Sequence, residues 1–247
     1  MTNRNTTPSS SGDAPAASGM RPETLVARGA HAPDPATGSV APGHSCGPGL
    51  YPSTTFERDA DYRLLAPDHS YARDQNPTFA PAERMLAGLE GAAEALLFSS
   101  GMAAAMAVVQ ALRPGDRIVA PAVMYWGLRH WLHRFCADWG LHLSLFDTAD
   151  PDDLPRQIRA GPVRLLWIET PCNPTWDVID IARSAELARE AGALLAVDAT
   201  AATPVLTRPL SLGADLVMHS ATKYLNGHGD VVAGALATAR LDDTWQR

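Results

Sequence analysis

Beyond about Pro77 the chain alternates short apolar runs with longer stretches whose apolar positions recur at helical spacing. The runs are RIVAPA (117–122), HLSLFD (142–147), VRLLWIE (163–169), ALLAVDA (193–199) and ADLVMHS (214–220). They are rich in Val, Ile and Leu and nearly continuous, the pattern of a strand covered on both faces. Between them the spacing predicts helices over 80–89, 102–112, 125–139, 152–159 and 181–190. Such strands alternating with amphipathic helices imply an α/β domain with a mainly parallel sheet and helices on both faces. Ligands of these sheets sit beyond the carboxyl ends of the strands, so the residues just after each run are the first candidates for function.

The N-terminal third reads differently. Residues 1–20 (MTNRNTTPSSSGDAPAASGM) offer almost nothing large to bury and are expected to form a disordered tail. Residues 21–62 are rich in Gly and Pro without a sustained period, which predicts an extended arm lying on its own domain or on a partner subunit. Residues 63–247 then form the large domain.

Composition narrows the partners. Of 247 residues 46% are hydrophobic and 19% charged, enough to bury one substantial core. A net charge of -7 with no basic block disfavours nucleic acid and anionic membranes, leaving small-molecule chemistry as the default. The cysteines, Cys46, Cys136 and Cys172, are three and widely spaced, with no zinc-type pattern, which fits a reducing cytoplasm. No apolar run reaches membrane-spanning length and the N-terminus has no signal-peptide core.

Lys223 is the only lysine in the sequence. Arginine cannot act as a nucleophilic amine, so Lys223 is the only side chain able to form a Schiff base, although drift toward arginine also explains its isolation. Lys223 follows one strand-like run and Asp198 ends another, so an amine and a carboxylate share a sheet edge. Pyridoxal 5'-phosphate needs that pair: a lysine for its aldehyde, an acid to keep its pyridine nitrogen protonated. A strand-end Asp also serves simply to cap a turn. Ser99, Ser100 and Gly101 precede an Ala-rich helix, where free amides favour a phosphate, though an ordinary N-cap reads the same way. Neither a Gly-x-x-x-x-Gly-Lys-Ser/Thr run nor a Gly-x-Gly-x-x-Gly run is present, which removes the main device of nucleotide readings.

In order along the chain, HAPDPATGSVAP, YARDQNPT, LEGAAEALLFSSGMAAAM, the tyrosine of MYWG, ETPCNPT and VDATAATPVLTRPLSLGADLVMHSATKYLNGHGD resemble the Cys/Met-metabolism family of pyridoxal-phosphate enzymes, which includes cystathionine synthases and lyases. The resemblance implies a type I aminotransferase-like fold and β/γ-elimination or γ-replacement on sulfur-containing or O-acylated amino acids. It implies catalytic roles for Lys223, which carries the cofactor and moves protons, and for Tyr125, which stacks on the ring. It places Asp198 on the pyridinium nitrogen, Thr200 beside the ring and Asn173 near the phenolic oxygen. Ser100, Gly101 and Met102 would hold the phosphate from one side, Ser220 and Thr222 from the other. Tyr71 and Arg73 would reach the phosphate of a neighbouring subunit in a homo-oligomer, a dimer or a dimer of dimers. No role is expected for His219 or His228.

The chain departs from the family at VDATAAT, YAR and MYWGLRHW, where Trp126 replaces glycine and is expected to narrow the substrate side. Family members also continue with a smaller C-terminal domain bearing the arginine that clamps the substrate carboxylate, and that domain is expected to be missing here. The competing expectation is a non-catalytic subunit that binds the cofactor or serves assembly.

Overall fold

The computed structural model describes residues 21–24, 49–66 and 69–247. The expected tail and most of the expected arm (25–48) lie outside the described residues. In chain order the elements are α1 (Ala80–Glu90), β1 (Glu94–Phe98), α2 (Gly101–Gln110), β2 (Arg117–Pro121), α3 (Trp126–Trp139), β3 (His142–Phe146), α4 (Asp153–Arg159), β4 (Leu165–Glu169), α5 (Ile181–Ala191), β5 (Leu194–Asp198), α6 (Thr203–Leu206), a 3-10 turn (Pro209–Leu212), β6 (Leu216–His219) and β7 (Gly234–Thr238).

The helices begin and end where local chemistry dictates. Ser100 caps α2 by accepting from the Ala103 amide at 3.1 Å, and Asp180 caps α5 through the Arg183 amide at 2.9 Å, each satisfying a donor that has no intrahelical acceptor. Gly91, Gly140 and Gly192 end α1, α3 and α5 in the left-handed conformation. All five helices expected from the spacing are present, with ends within one or two residues.

Seven strands form one sheet in the order β1-β7-β6-β5-β4-β2-β3. The five strands seen in the sequence pattern, β2 to β6, run parallel; β7 is antiparallel to both β6 and β1. Alternate residues of each strand feed opposite cores. Leu165, Trp167, Ala196, Leu216 and Met218 face α2 and α3 with Ala104, Val108, Leu128 and Leu132; Leu166, Ile168, Leu195, Val197 and Val217 face α4 and α5 with Ile158, Ala185 and Ala188.

β1 and β7 are the strands that the sequence pattern does not reveal. GALAT carries small residues with no β-branched side chain before Thr238, so its own preference for strand is weak. It is fully buried and paired on both edges, so position in the sheet and not propensity makes it a strand.

Residues 49–66 and 69–79 are joined to each other by two bridges, Thr55 to Tyr71 and Arg58 to Leu64, and by the Tyr51 amide, which donates to Thr78 Oγ1 at 2.9 Å.

One polar contact crosses the core. Glu90, the last residue of α1, lies 2.5 Å from His219 Nε2 at the end of β6, and both side chains are almost fully buried. Glu90 Oε2 and His219 Nδ1 find no other partner. The pair pins α1 to the strand that leads into the Lys223 turn. Removing one partner strands the other in the core. Glu90→Ala is expected to lower unfolding free energy by about 3 kcal/mol in urea melts, and Glu90→Gln by clearly less.

Candidate functional site

The carboxyl ends of β4, β5 and β6 and the start of α2 and α3 converge at one edge of the sheet. Asp198 closes β5 and is buried. Its Oδ1 accepts from the Thr200 amide at 3.0 Å and from the Thr200 hydroxyl at 2.6 Å; among the described residues nothing donates to its other oxygen. Burial pushes the Asp198 carboxyl above the usual carboxylate range, and the Thr200 hydrogen bonds and His219 oppose that rise. A cationic N–H placed at the open oxygen would remove the cost of burying this charge. The donor set fits a protonated pyridine nitrogen.

Thr200 does more than pack beside a ring. Its Oγ1 donates to Asp198 and accepts the Ser220 amide at 2.8 Å, so it joins the acid on β5 to the segment after β6. That segment carries the lysine. The Lys223 amide donates to Ser220 O at 3.0 Å, the Gly227 amide returns to Lys223 O at 2.8 Å, and the Lys223 side chain is exposed without an ion pair among the described residues.

Ser220 also meets α2. A β-carbon on Gly101 would lie 2.7 Å from Ser220 Cβ and 2.8 Å from its Oγ, so only glycine allows the helix start and the lysine turn to approach this closely. The amides of Gly101 and Met102 belong to the first turn of a ten-residue helix, where no intrahelical acceptor is available. Ser220 packs against this helix start, and the cradle suits a dianionic phosphate. The Thr222 hydroxyl donates to Ala233 O at 3.0 Å and accepts the Ala233 amide at 3.0 Å, which pins the lysine turn to the approach of β7.

Tyr125 immediately precedes α3 and is 37% exposed. Its ring folds over Gly127, where a β-carbon would lie 2.8 Å from Tyr125 Cε1. Trp126 is exposed beside Tyr125, the two ring centroids 6.0 Å apart, and lines a cleft with Ala122, Arg129, His130, His133 and Leu145. Asn173 is exposed on the loop after β4.

Sequence reasoning missed Glu169, the last residue of β4. It is buried, its Oε2 accepts the Tyr125 amide at 2.7 Å, and its Oε1 accepts the Asn173 amide at 2.8 Å. It lies in register with Asp198 on the neighbouring parallel strand, so two carboxylates share one face of the sheet. Burial pushes the Glu169 carboxyl up to about 7; Asp198 adds to the rise and the two amides oppose it. The signal was present as an acid ending an otherwise apolar run, but a terminal acid in LLWIE looks like a solvated cap until the register is known.

Tyr71 and Arg73 pair with each other, Arg73 Nη2 donating to the Tyr71 hydroxyl at 2.8 Å with the guanidinium 5.0 Å from the ring centroid. No hydrogen bond among the described residues joins them to Lys223, Asp198 or Ser220. His219 is the buried partner of Glu90. No described helix is long and apolar enough to cross a membrane.

Residues 23–247 match the family model described as Cys/Met metabolism PLP-dependent enzyme. The chain is 42% identical over 219 residues to the cystathionine gamma-synthase of Mycobacterium tuberculosis, covering 88% of this chain and 54% of that protein. It is 41% identical over 186 residues to the cystathionine gamma-lyase of Dictyostelium discoideum, covering 75% of this chain and 48% of that protein. A crystal structure of a cystathionine gamma-lyase from Micromonospora echinospora superposes with a TM-score of 0.83 at 38% identity, covering 92% of this chain and 57% of that one. The chain thus spans about half the length of the curated relatives it matches, and these relatives, named as enzymes, give no support to the non-catalytic reading. From residue 23 to residue 247, this chain belongs to the Cys/Met-metabolism family of pyridoxal-phosphate-dependent enzymes.

Proposed function

We propose that the chain is the cofactor-binding part of a trans-sulfuration enzyme that carries out elimination or γ-replacement on a sulfur-containing or O-acylated amino acid. The observation that carries this reading is the buried Asp198 carboxylate, one oxygen fixed by Thr200 and the other open, on the strand beside the Lys223 turn. Names of relatives, cystathionine gamma-synthase and gamma-lyase, support the substrate class.

When bound, pyridoxal phosphate supplies an electron sink next to the substrate's α carbon. Asp198 would balance the ring's positive charge, with Thr200 keeping the carboxylate from rotating away. The first amides of α2 and Ser220 would hold the phosphate, Tyr125 would pack on the ring, and Asn173 would orient the phenolic oxygen. Lys223 would move protons at the substrate's α and β carbons, and Tyr125 would assist the leaving group. Thr222 acts through the backbone by fixing the turn.

The family resemblance supports a homo-oligomer in which Tyr71 and Arg73 reach a second copy's phosphate, their mutual hydrogen bond being the resting arrangement, with the Gly- and Pro-rich arm (21–62) crossing between copies. The buried, unpaired thiols of Cys136 and Cys172 suit a reducing cytoplasm.

Purified chain incubated with pyridoxal phosphate should gain a visible absorbance band that borohydride bleaches and fixes to Lys223. Lys223→Ala should lack the fixed adduct and lose about 10³-fold or more of any thiol, ammonia or keto-acid release from cystathionine, methionine or O-acylated homoserine. Wild type without the band would overturn the reading.

Electrostatics give a second expectation. A carboxyl whose pKa is raised on folding binds more protons folded than unfolded, so its stabilising contribution is full below its unfolded value and is lost as pH climbs through its folded one. For Glu169 that window runs from about 4.5 to about 7. Cofactor-free protein should therefore lose stability across this range in denaturant melts. Saturating pyridoxal phosphate should flatten the loss by setting a cation against Asp198.

A further inference from the structure

Three segments must be held in register for the proposed cofactor site to work: the start of α3 with Tyr125, the loop after β4 with Asn173, and the end of β5 with Asp198. One buried side chain hydrogen-bonds two of them and neighbours the third. Glu169 spends one oxygen on the Tyr125 amide at 2.7 Å and the other on the Asn173 amide at 2.8 Å, while its strand places it in register with Asp198. Bonds from amides to a buried carboxylate are stronger and stiffer than neutral ones. Cys172 Sγ also reaches Val123 O at 3.2 Å, joining the same two segments, but Asn173 itself is exposed and Glu169 is what fixes its amide.

We propose that Glu169 is the positioning residue of this site, a carboxylate bracket that sets Tyr125 over the cofactor's ring and Asn173 beside it from a place that the substrate never touches. This rests on the cofactor reading given above. The bracket needs two acceptor oxygens. A protonated carboxyl or a glutamine has one good acceptor, and its remaining group is a donor facing an amide donor, so one segment is released. An aspartate keeps the charge but is one methylene shorter and cannot span both amides.

The charge matters as well as the reach. Glu169 faces Asp198 on β5, the Tyr125 amide on α3, and Asn173 and Cys172 on its own following loop, with Asp177 farther along that loop and His219 on the far side of Asp198. No cationic side chain among these neighbours pairs with Glu169. Two adjacent carboxylates in one buried place resist joint ionisation, and a cation bound at Asp198 favours the doubly ionised state. Cofactor binding and closure of the bracket therefore reinforce each other.

The test uses the full chain and pyridoxal phosphate itself. Glu169→Gln should still acquire the borohydride-fixed Lys223 adduct, bind the cofactor about tenfold more weakly by absorbance titration, and give reduced visible circular dichroism because Tyr125 no longer stacks in one pose. The pH midpoint of the bound cofactor's absorbance should also move. In a Tyr125→Ala background the same change should cost clearly less affinity than in wild type, since the ring it positions is gone. Glu169→Asp, expected to show the same weakening, replaces the Gln variant if that variant does not fold. Wild-type affinity, dichroism and pH midpoint in a folded variant would overturn the bracket. Equal losses with and without the Tyr125 ring would overturn it too, by assigning Glu169 a general structural role. Failure of wild type to bind any cofactor is a separate result that sinks the functional reading instead.

Discussion

Everything at the functional edge follows from burying two carboxylates side by side. Asp198 and Glu169 end adjacent parallel strands in register, each with its side chain on the same face of the sheet. Ionised together in a dry place they repel, and the surroundings answer that repulsion with donors: two from Thr200 to Asp198, one each from Tyr125 and Asn173 to Glu169. Those donors are the site's own segments. The electrostatic demand of the pair is thus also what organises the loops around it, and one oxygen of Asp198 remains open for the cation that the pair lacks.

The packing around this pair leaves little freedom. Thr200 links the acid to Ser220, Ser220 presses on Gly101 at the start of α2, and Thr222 anchors the lysine turn to Ala233 before β7. The start of α2, the Asp198 carboxyl and the Lys223 turn thereby become parts of one connected network. Behind it, the Glu90 and His219 contact fastens α1 to β6 through the opposite core. Substitutions in the network are therefore coupled, and free energies of neighbouring changes will not add.

Much of this was legible in the chain. Continuous apolar runs separated by helical periods revealed five parallel strands and five helices, because burial on both faces demands that composition. The lone lysine and the strand-end Asp198 stood out, since residue type and strand ends are local properties. β7 was hidden because Ala- and Gly-rich GALAT becomes a strand only when two neighbours pair with it. Glu169 was hidden because an acid at a strand end is usually solvated, and its burial depends on α3 and a loop from elsewhere in the chain.

By itself, then, the sequence determined the layered α/β class, the places of its principal helices and strands, the family and the identity of the amine and acid. Periodicity, capping residues and rare residue types are written along one dimension. Only the tertiary structure decided that Glu169 joins Tyr125 to Asn173 beside Asp198, that Thr200 bridges two strands and that Gly101 admits Ser220. Those are distances between segments as far as 119 residues apart, fixed by strand register and by which side chains the sheet excludes from water.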